Sequence, residues 1–337
     1  MRRAPVTEYA PMALQDGLRS TPNVAVVVPS YRVARHILDV ISGIPRWIWR
    51  IYVVDDCCPE KSGYLVQENC SDPRVVVIFN DRNSGVGGAV IAGYLKAAAD
   101  GADVIVKMDG DGQMDPELLP RFIAPIVAGE ADYTKGNRFY DLAQIGRMPR
   151  IRILGNAGLS FMTKISSGYW DLFDPTNGYT AIHARVVEKL PMAKISRRYY
   201  FETDMLFRLN TLRAVVVDIP MDARYGDEKS GLQIGRIFFD FLIKHVRNTA
   251  KRLFYNYFLR DMSLATIELV GGILLVTGGF IVGTVFWVHA SSVGVPTSAG
   301  RVMLAALPVI LGLQLLLGFV AFDIASVPKR AIHRMLR

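Results

Sequence analysis

The stretch Val104–Pro116, VIVKMDGDGQMDP, decides the fold that the sequence predicts. It begins as a short apolar run with β-branched residues and ends in turn residues, a pattern that predicts a buried central strand over Val104–Met108. Asp109 and Asp111 follow at the carboxyl end of this strand, where open α/β sheets bind their ligands. Because alternate residues of an extended segment point the same way, Gln113 is predicted to converge with both aspartates. Two carboxylates and an amide oxygen suit Mg²⁺ or Mn²⁺ carrying substrate phosphates, although a polar surface turn would also explain the aspartates alone.

Composition limits the classes of partner. The chain has 337 residues, 51% of them hydrophobic, and a formal net charge of +8. Anionic partners such as nucleic acid, nucleotide or anionic lipid are therefore expected. Nucleic acid is the weakest of these candidates, because much of the basic charge flanks two long apolar runs near the C-terminus. The three cysteines have no metal-ligand spacing, which predicts reduced thiols facing the cytoplasm.

Alternation of strands and helices predicts a doubly wound parallel sheet. Three further apolar strands precede the central one, separated by helical patterns: Asn23–Val28, Ile51–Val54 and Val75–Phe79. Asp56, Asn83 and Asp109 each lie just beyond the end of a strand, and such ends meet at one edge of the sheet. We therefore expect these three side chains to share one crevice.

A glycine-rich loop, Ser84–Ala89 (SGVGGA), opens the helix before the central strand. Glycines at a helix start let backbone amides approach a phosphate, which makes Gly87 a candidate nucleotide contact. The loop does not fit the GxGxxG pattern of dinucleotide-binding folds, and the sequence has no Walker-type GK[ST] step. Tight helix packing is an equally good explanation of these glycines.

Several short motifs together resemble family 2 glycosyltransferases with a GT-A fold. They are VVVPSY at 26–31, VVDD at 53–56, MDGDGQMDP at 108–116, KGNR at 135–138, DPTNGYTA at 174–181 and FETD at 201–204. The branch that they resemble most contains dolichyl-phosphate mannose synthase and bacterial polyprenyl-phosphate glycosyltransferases. This resemblance extends over residues 23–232.

The resemblance implies a nucleotide-sugar site in the crevice. Pro29 and Tyr31 match positions that line the base pocket, and Asp56 matches a base contact. The residues predicted to bind the nucleotide sugar are Pro29, Tyr31, Asp56, Asn83, Gly87, Asp109, Gly110, Arg224 and Lys229, and those predicted to hold the metal are Asp109, Asp111 and Gln113. The pattern departs at Arg32-Val33, where an acidic residue is usual, and at Cys57-Cys58-Pro59, where a polar run is usual. UDP and GDP therefore both stay open as the nucleotide.

The chemistry of the acceptor decides which side chains are needed. A hydroxyl acceptor needs a general base, whereas a polyprenyl phosphate is already an anion and needs cations to hold it. In the resembled family two arginines grip the acceptor phosphate, and Arg138 and Arg152 occupy the matching positions. Bidentate guanidinium geometry suits phosphate. The residues predicted to act in catalysis are Asp111, Arg138, Arg152, Glu202 and Asp204.

Glu202 and Asp204 have two explanations. Either could be the base for a hydroxyl acceptor, but both open a helical run, where acidic residues stabilise the helix N-terminus. We expect them to position sugar hydroxyls or metal rather than to accept a proton.

The C-terminal third predicts attachment to a membrane. Gly235–Arg260 has the spacing of a basic amphipathic helix lying in a membrane interface, although docking on the sheet domain is an alternative. Leu269–Val288 and Val302–Phe322 are uncharged and long enough to span the hydrocarbon core. Basic residues crowd before the first span and after the second, which predicts that both ends are cytoplasmic.

The sequence thus predicts an α/β protein with a GT-A fold, an amphipathic helix and a two-span transmembrane hairpin. The predicted segments are an N-terminal arm (1–22), a catalytic domain (23–232), an interfacial helix region (233–262), two transmembrane helices with a short external loop (263–325) and a basic cytoplasmic tail (326–337). The predicted activity is inverting transfer of one sugar from a UDP- or GDP-sugar to an undecaprenyl- or dolichyl-type phosphate, with the catalytic domain on the cytoplasmic side of an inner, plasma or ER-type membrane. Alternatives are a hydroxyl acceptor, a processive polysaccharide synthase and a non-enzymatic nucleotide-sugar sensor. A homo-oligomer through the transmembrane helices is a candidate assembly.

Overall fold

The computed structural model of the chain describes residues 21–140, 150–222 and 234–336, without the side chains of residues 150–152 and 234–238. The chain divides into two compact units. The sheet unit contains Met1–Asn248 and Pro328–Arg337, and the hairpin unit contains Thr249–Val327. The chain therefore leaves the sheet unit once and returns to it.

The sheet unit is built on seven strands with helices between them. The strands are β1 (Val24–Ser30), β2 (Arg50–Asp55), β3 (Val75–Phe79), β4 (Val104–Lys107), β5 (Tyr133–Asn137), β6 (Thr180–His183) and β7 (Val216–Pro220). The helices are α1 (Ile37–Gly43), α2 (Ser62–Asn69), α3 (Val86–Ala99), α4 (Leu119–Val127), α5 (Arg150–Ser167), α6 (Ala184–Lys189), α7 (Phe201–Thr211) and α8 (Ile234–Phe254), of which α8 continues into the hairpin unit. A π-helical turn, Tyr255–Arg260, follows α8.

The strand order β3-β2-β1-β4-β6-β5-β7 makes a mixed, mostly parallel sheet. The first four strands pair in parallel, β1 lying between β2 and β4. The predicted doubly wound sheet is thus confirmed, and its order reverses at β1 and β4, which is where such sheets place a ligand crevice. β6 runs antiparallel between β4 and β5, so β5 has the same direction as β4.

Apolar residues of the central strands form the core. Val26, Val53 and Val106 are fully buried, because helices cover both faces of the parallel part of the sheet. Phe122 of α4 packs on Tyr179 with ring centroids 4.1 Å apart, which ties this helix to the loop before β6. The core therefore fixes the strand ends that carry the polar side chains.

The hairpin unit consists mainly of two long apolar helices, α9 (Leu264–Val293) and α10 (Ala299–Ala325). Both are long and apolar enough to cross a membrane, and only 11% of the most apolar window of each is buried. This exposure distinguishes them from core helices of a soluble protein. The helices approach closely, since a Cβ added at Gly312 would lie 2.9 Å from the carbonyl oxygen of Gly272.

Candidate active site

The polar edge of the sheet begins at the ends of β1 and β2. Pro29 is buried within β1, and Tyr31 follows it with its side chain 40% exposed. The backbone N–H of Asp56 donates to the carbonyl of Ser30 (3.1 Å), which joins the two strand ends. Tyr31 is therefore an accessible aromatic surface at the crevice, as a base-stacking role requires.

The two departures from the family pattern contact each other next to Tyr31. Arg32 adopts a positive φ of 58°, and its backbone N–H donates to Sγ of Cys58 (3.1 Å). The guanidinium of Arg32 lies 5.5 Å from the ring centroid of Tyr31, within cation–π range. These residues thus form one connected wall beside the predicted base pocket.

Asp56 organises the loop that contains Asn83. Its buried carboxylate accepts hydrogen bonds from Nδ2 of Asn80 (2.8 Å) and from the backbone N–H groups of Ser84 (2.9 Å) and Gly85 (2.7 Å). Asn83 lies half-buried in the same loop. The structure therefore brings Asp56 and Asn83 together, with much of the carboxylate occupied by its own loop.

Gly87 lies in helix packing between α3 and α7. A Cβ added there would lie 2.6 Å from the ring of Phe201, so this position is limited to glycine by space. The neighbouring N–H of Gly88 donates to the carbonyl of Arg197 (3.1 Å) and does not face open solvent as a free anion site. The packing explanation of the glycines is thus observed, and contact of Gly87 with a nucleotide stays a prediction.

Lys107, which the sequence analysis overlooked, connects Asp109 to Glu202. This lysine is 1% exposed, and its ammonium donates to Oδ1 of Asp109 (2.7 Å) and to the carbonyl of Gly178 (3.0 Å). Oε1 of Glu202 lies 3.7 Å from the same nitrogen. A Cβ at Gly178 would lie 2.4 Å from that nitrogen, so glycine makes room for the contact.

Burial and neighbouring charges shift the pKa values of Lys107 and Glu202 in opposite directions. Burial alone would lower the pKa of Lys107, but the carboxylates of Asp109 and Glu202 outweigh it and raise that pKa above its ordinary value. Burial raises the pKa of Glu202, and the positive charge of Lys107 opposes this only in part. Lys107 therefore supplies a buried positive charge next to the carboxylates of Asp109 and Glu202.

The predicted metal ligands Asp109, Asp111 and Gln113 offer two carboxylates and one side-chain amide as donors. The Asp109 side chain is 30% exposed, and Asp111 and Gln113 are both partly exposed. Oδ1 of Asp111 accepts from the backbone N–H of Gln113 (3.0 Å), a local turn that holds the segment. No group of three or more His, Cys, Asp and Glu side chains that could hold a metal occurs among the described residues. Two carboxylates and an amide fit a Mg²⁺ or Mn²⁺ ion that takes its other ligands from water and substrate phosphates.

Gly110 keeps the turn after β4 close to β1. A Cβ added there would lie 3.0 Å from the Ile37 side chain and 3.4 Å from the carbonyl oxygen of Pro29. The predicted site residues Pro29 and Gly110 are therefore neighbours across the β1/β4 reversal.

Arg138, just beyond β5, is held by a buried aspartate. Nε and Nη2 of Arg138 donate to the two oxygens of Asp174 at 2.7 and 2.8 Å, and Asp174 is fully buried. Burial would raise the pKa of Asp174, but the Arg138 guanidinium outweighs it and holds that pKa below its ordinary value. The Arg138 side chain is 28% exposed, so a fixed guanidinium reaches the surface at this edge of the sheet.

Three of the predicted cations lie partly or wholly outside the described residues. Arg152 belongs to the first turn of α5, and its side chain lies outside the described residues. Arg224 and Lys229 lie outside them altogether. Their predicted roles stay predictions.

Asp204 lies in the first turn of α7, with its carboxylate turned into the protein. It is 2% exposed, and its oxygens accept from the backbone N–H of Ser196 (2.8 Å) and from Nδ2 of Asn248 (3.0 Å). Asp204 therefore joins α7 to the preceding loop and to α8. Glu202, in contrast, faces Lys107 and the Asp109 segment.

Comparison with known proteins identifies the family. The profile described as glycosyl transferase family 2 matches residues 25–191. The undecaprenyl-phosphate mannosyltransferase of Micrococcus luteus is 33% identical over 173 residues, which cover 51% of this chain and 70% of that protein. The chain belongs to glycosyl transferase family 2. It is therefore a glycosyltransferase, related to the dolichyl- and polyprenyl-phosphate glycosyltransferases.

One further relative and one solved structure are similar to this chain. The UDP-N-acetylglucosamine–dolichyl-phosphate N-acetylglucosaminyltransferase of Methanococcus voltae is 26% identical over 214 residues, covering 59% of this chain and 85% of that protein. The crystal structure of glucosyl-3-phosphoglycerate synthase from Mycobacterium tuberculosis in complex with uridine-diphosphate aligns with a TM-score of 0.53 and 17% identity, covering 68% of this chain and 80% of that one. The structural likeness confirms the predicted GT-A fold.

Proposed function

We propose that this family 2 glycosyltransferase moves a single sugar, with inversion, from a UDP- or GDP-sugar to a polyprenyl phosphate of the undecaprenyl or dolichyl type. The two relatives named above support this acceptor, since one is named for undecaprenyl phosphate and the other for dolichyl phosphate. Their names differ in the sugar, so both nucleotides stay within the proposal. The two long apolar helices would anchor the enzyme in the membrane that holds the lipid, with the catalytic domain on the cytoplasmic leaflet.

The observation that carries the choice of acceptor is the position of Asp204. A hydroxyl acceptor needs a carboxylate within reach of its proton, and Asp204 was one of the two candidates. Its buried oxygens accept hydrogen bonds from Ser196 and Asn248, so it serves as a structural link between elements. An acceptor phosphate is ionised before it binds and needs no such base.

Cations at the sheet edge would serve both substrates. Asp109, Asp111 and Gln113 would hold the divalent cation, which neutralises the negative charge that develops on the departing diphosphate. The ammonium of Lys107 holds the carboxylate of Asp109 in place through a hydrogen bond. Arg138, oriented by Asp174, would present its exposed edge to the acceptor phosphate, and Arg152 would join it from α5.

A second candidate function is transfer to a lipid or glycan hydroxyl with Glu202 as the base. Burial raises the pKa of Glu202, which makes its carboxylate a better proton acceptor than an exposed one. Glu202 also lies 3.7 Å from Lys107, next to the Asp109 segment.

A matched pair of acceptors separates the two candidates. The full-length enzyme in vesicles is incubated with radiolabelled UDP- and GDP-sugars and either a polyprenyl phosphate or the polyprenol of equal length. We expect label to enter the phosphate lipid alone and to be released from it by mild acid, with no transfer in EDTA. Transfer to polyprenol, abolished in Glu202→Gln, would instead establish the hydroxyl acceptor.

A further inference from the structure

The last described residues of the chain dock on the sheet unit. The segment Pro328–Leu336, called the tail here, follows α10 and belongs to the sheet unit, whereas α9 and α10 belong to the hairpin unit. Ala331 and His333 are 8% and 6% exposed. The tail is therefore packed, a contact that the prediction of a basic cytoplasmic tail did not include.

The buried carboxylate of Asp132 accepts hydrogen bonds from the tail. Asp132 is fully buried, and its oxygens accept from the backbone N–H groups of Ile332 (2.9 Å) and His333 (2.8 Å). Nδ1 of His333 lies 2.8 Å from Oδ1 and donates to it, and the N–H of Val215 donates to Oδ2 (2.8 Å). A carboxylate accepts about four hydrogen bonds, so three of the four places at Asp132 are filled by the tail.

Two further residues of the sheet unit, His183 and Arg185, contact the tail. The rings of His183 and His333 stack with centroids 4.2 Å apart. Burial, followed by the charges of His333 and Arg185, lowers the pKa of His183 to about 4, so His183 stacks as a neutral ring. Nη1 of Arg185 donates to the carbonyls of His333 (3.3 Å) and Leu336 (3.0 Å), which closes the last turn of the tail.

The loop after α4 completes this receptor surface, which consists of Ala128, Gly129, Asp132, His183 and Arg185. Nη2 of Arg334 donates to the carbonyl of Ala128 (2.6 Å). Gly129 has a φ of +72°, and a Cβ there would lie 1.9 Å from Nε of Arg334, so the absence of a side chain makes room for this guanidinium.

The receptor surface lies away from the active-site edge. Asp132 precedes the first residue of β5, whereas Asp109 follows the last residue of β4, and these strands run in the same direction. The tail therefore cannot contribute a group to the chemistry. The tail does provide a second connection, because the chain leaves the sheet unit after Asn248 and the tail, which follows the hairpin unit in sequence, binds the sheet unit again.

We propose that the receptor surface is a docking site for the enzyme's own C-terminal tail, and that docking restrains the catalytic unit for reaction with a lipid acceptor held in a membrane. This rests on the proposed function. A catalytic unit tethered at one point searches many orientations, and a second tether raises the effective concentration of the active-site edge at the lipid headgroup. A short acceptor that diffuses in water gains nothing from such restraint.

The test uses full-length enzyme in vesicles with two acceptors, a long-chain polyprenyl phosphate in the bilayer and a short, water-soluble prenyl phosphate. Arg185→Ala and His333→Ala weaken docking, and Arg330→Ala is the control, because it also removes a positive charge but lies exposed in the tail. We expect the first two variants to lose roughly tenfold in rate with the long-chain acceptor. All three should stay within about twofold of the unsubstituted enzyme with the short one.

Hydrogen exchange at the backbone amides of Ile332 and His333 measures docking without any acceptor. We expect slow exchange in the unsubstituted chain and exchange faster by roughly tenfold in Arg185→Ala. Equal losses with both acceptors, or no loss with either, would overturn the restraint, and unprotected amides in the unsubstituted chain would overturn docking. An enzyme inert toward both acceptors would overturn the proposed function instead, and the exchange experiment would still decide whether the tail docks.

Discussion

Lys107 is a buried cation that faces two carboxylates, Asp109 and Glu202. Replacing it with methionine preserves much of its volume but leaves Asp109 and Glu202 without their shared counter-charge. Removing one partner of a buried ion pair typically costs about 3–5 kcal/mol. We therefore expect Lys107→Met to lower the free energy of unfolding by that amount and to reduce turnover sharply. Denaturant unfolding in detergent and steady-state rates at saturating metal measure the two effects.

The double variant Lys107→Met/Glu202→Gln is the control for this prediction. The double variant removes one positive and one negative charge. Its loss of unfolding free energy should therefore be smaller than the sum of the losses in Lys107→Met and Glu202→Gln, by at least about 0.5 kcal/mol. Strict additivity would mean that the ammonium and Glu202 do not interact, in contradiction to their 3.7 Å separation.

Arg138 has a structural partner, Asp174, which complicates its predicted role in acceptor binding. Arg138→Ala would leave a fully buried carboxylate unpaired and should cost about 3–5 kcal/mol of stability in addition to acceptor use. Asp174→Asn removes the charge, and asparagine tolerates the positive φ of 51° at this position. We expect Arg138→Ala/Asp174→Asn to recover most of the stability while its KM for polyprenyl phosphate stays high. Recovery of both would limit Arg138 to holding the fold.

The same ion pair predicts a dependence of stability on pH. The pKa of Asp174 is held below its ordinary value of 3.8, so the unfolded state binds a proton first as the pH falls. The stabilisation is complete above pH 3.8 and is lost as the pH drops through the lower pKa of the folded state. Denaturant unfolding between pH 5 and pH 2 should show this loss in the unsubstituted enzyme, and a smaller loss in Asp174→Asn.

At the scale of elements, the first four strands were predictable because each is an apolar run, although only β1, β2 and β4 are buried and the edge strand β3 is half-buried. β6 and β7 escaped prediction. β6 has only four residues, Thr180–His183, and pairs antiparallel with two strands that are distant in sequence. A short segment of this kind has no periodicity of its own, so tertiary pairing alone decides it.

In the candidate site, too, local patterns could be predicted from the sequence, whereas contacts between remote residues could not. Asp109 and Asp111 could be predicted as site residues because two aspartates after a strand form a local pattern. Lys107 was overlooked because its partner Glu202 is remote in sequence, and a lysine at the end of a strand usually faces solvent. The pairing of Arg138 with Asp174, 36 residues away, was invisible for the same reason.

The packing of α3 on α7 gives a test of the glycine loop. Gly87→Ala would force a Cβ to within 2.6 Å of Phe201, and such overpacking typically costs about 1–3 kcal/mol. Gly158→Ala in α5 is the matched control: nothing lies within 4 Å of its Cβ, and alanine is the better helix former by about 0.5–1 kcal/mol. Thermal unfolding should thus move in opposite directions for the two variants. Loss of nucleotide binding in Gly87→Ala without loss of stability would instead favour the phosphate-contact interpretation.

At the scale of the whole molecule, the sheet unit is assembled from two segments of the chain that flank the hairpin unit in sequence. A truncation near residue 232 would remove the hairpin, as intended for a soluble enzyme, but it would also remove α8 and the tail. Asp204 would then lose Asn248, and Asp132 would lose Ile332 and His333. Such a chain is expected to leave the membrane fraction and to be poorly stable.

A chain in which a Gly/Ser linker joins Asn248 directly to Pro328 keeps these contacts while deleting Thr249–Val327. We expect it to be soluble, to retain nucleotide binding, and to use a short prenyl phosphate but not a long-chain acceptor in vesicles. A second chain ending at Asn248 differs only in lacking the linker and tail. It should be less stable by about 3 kcal/mol, because the three hydrogen bonds that Ile332 and His333 donate to Asp132 are lost. Denaturant unfolding of the two soluble chains measures this difference directly. Equal stability would mean that the tail contributes nothing to the sheet unit, and membrane association of the linked chain would place the anchor outside the hairpin.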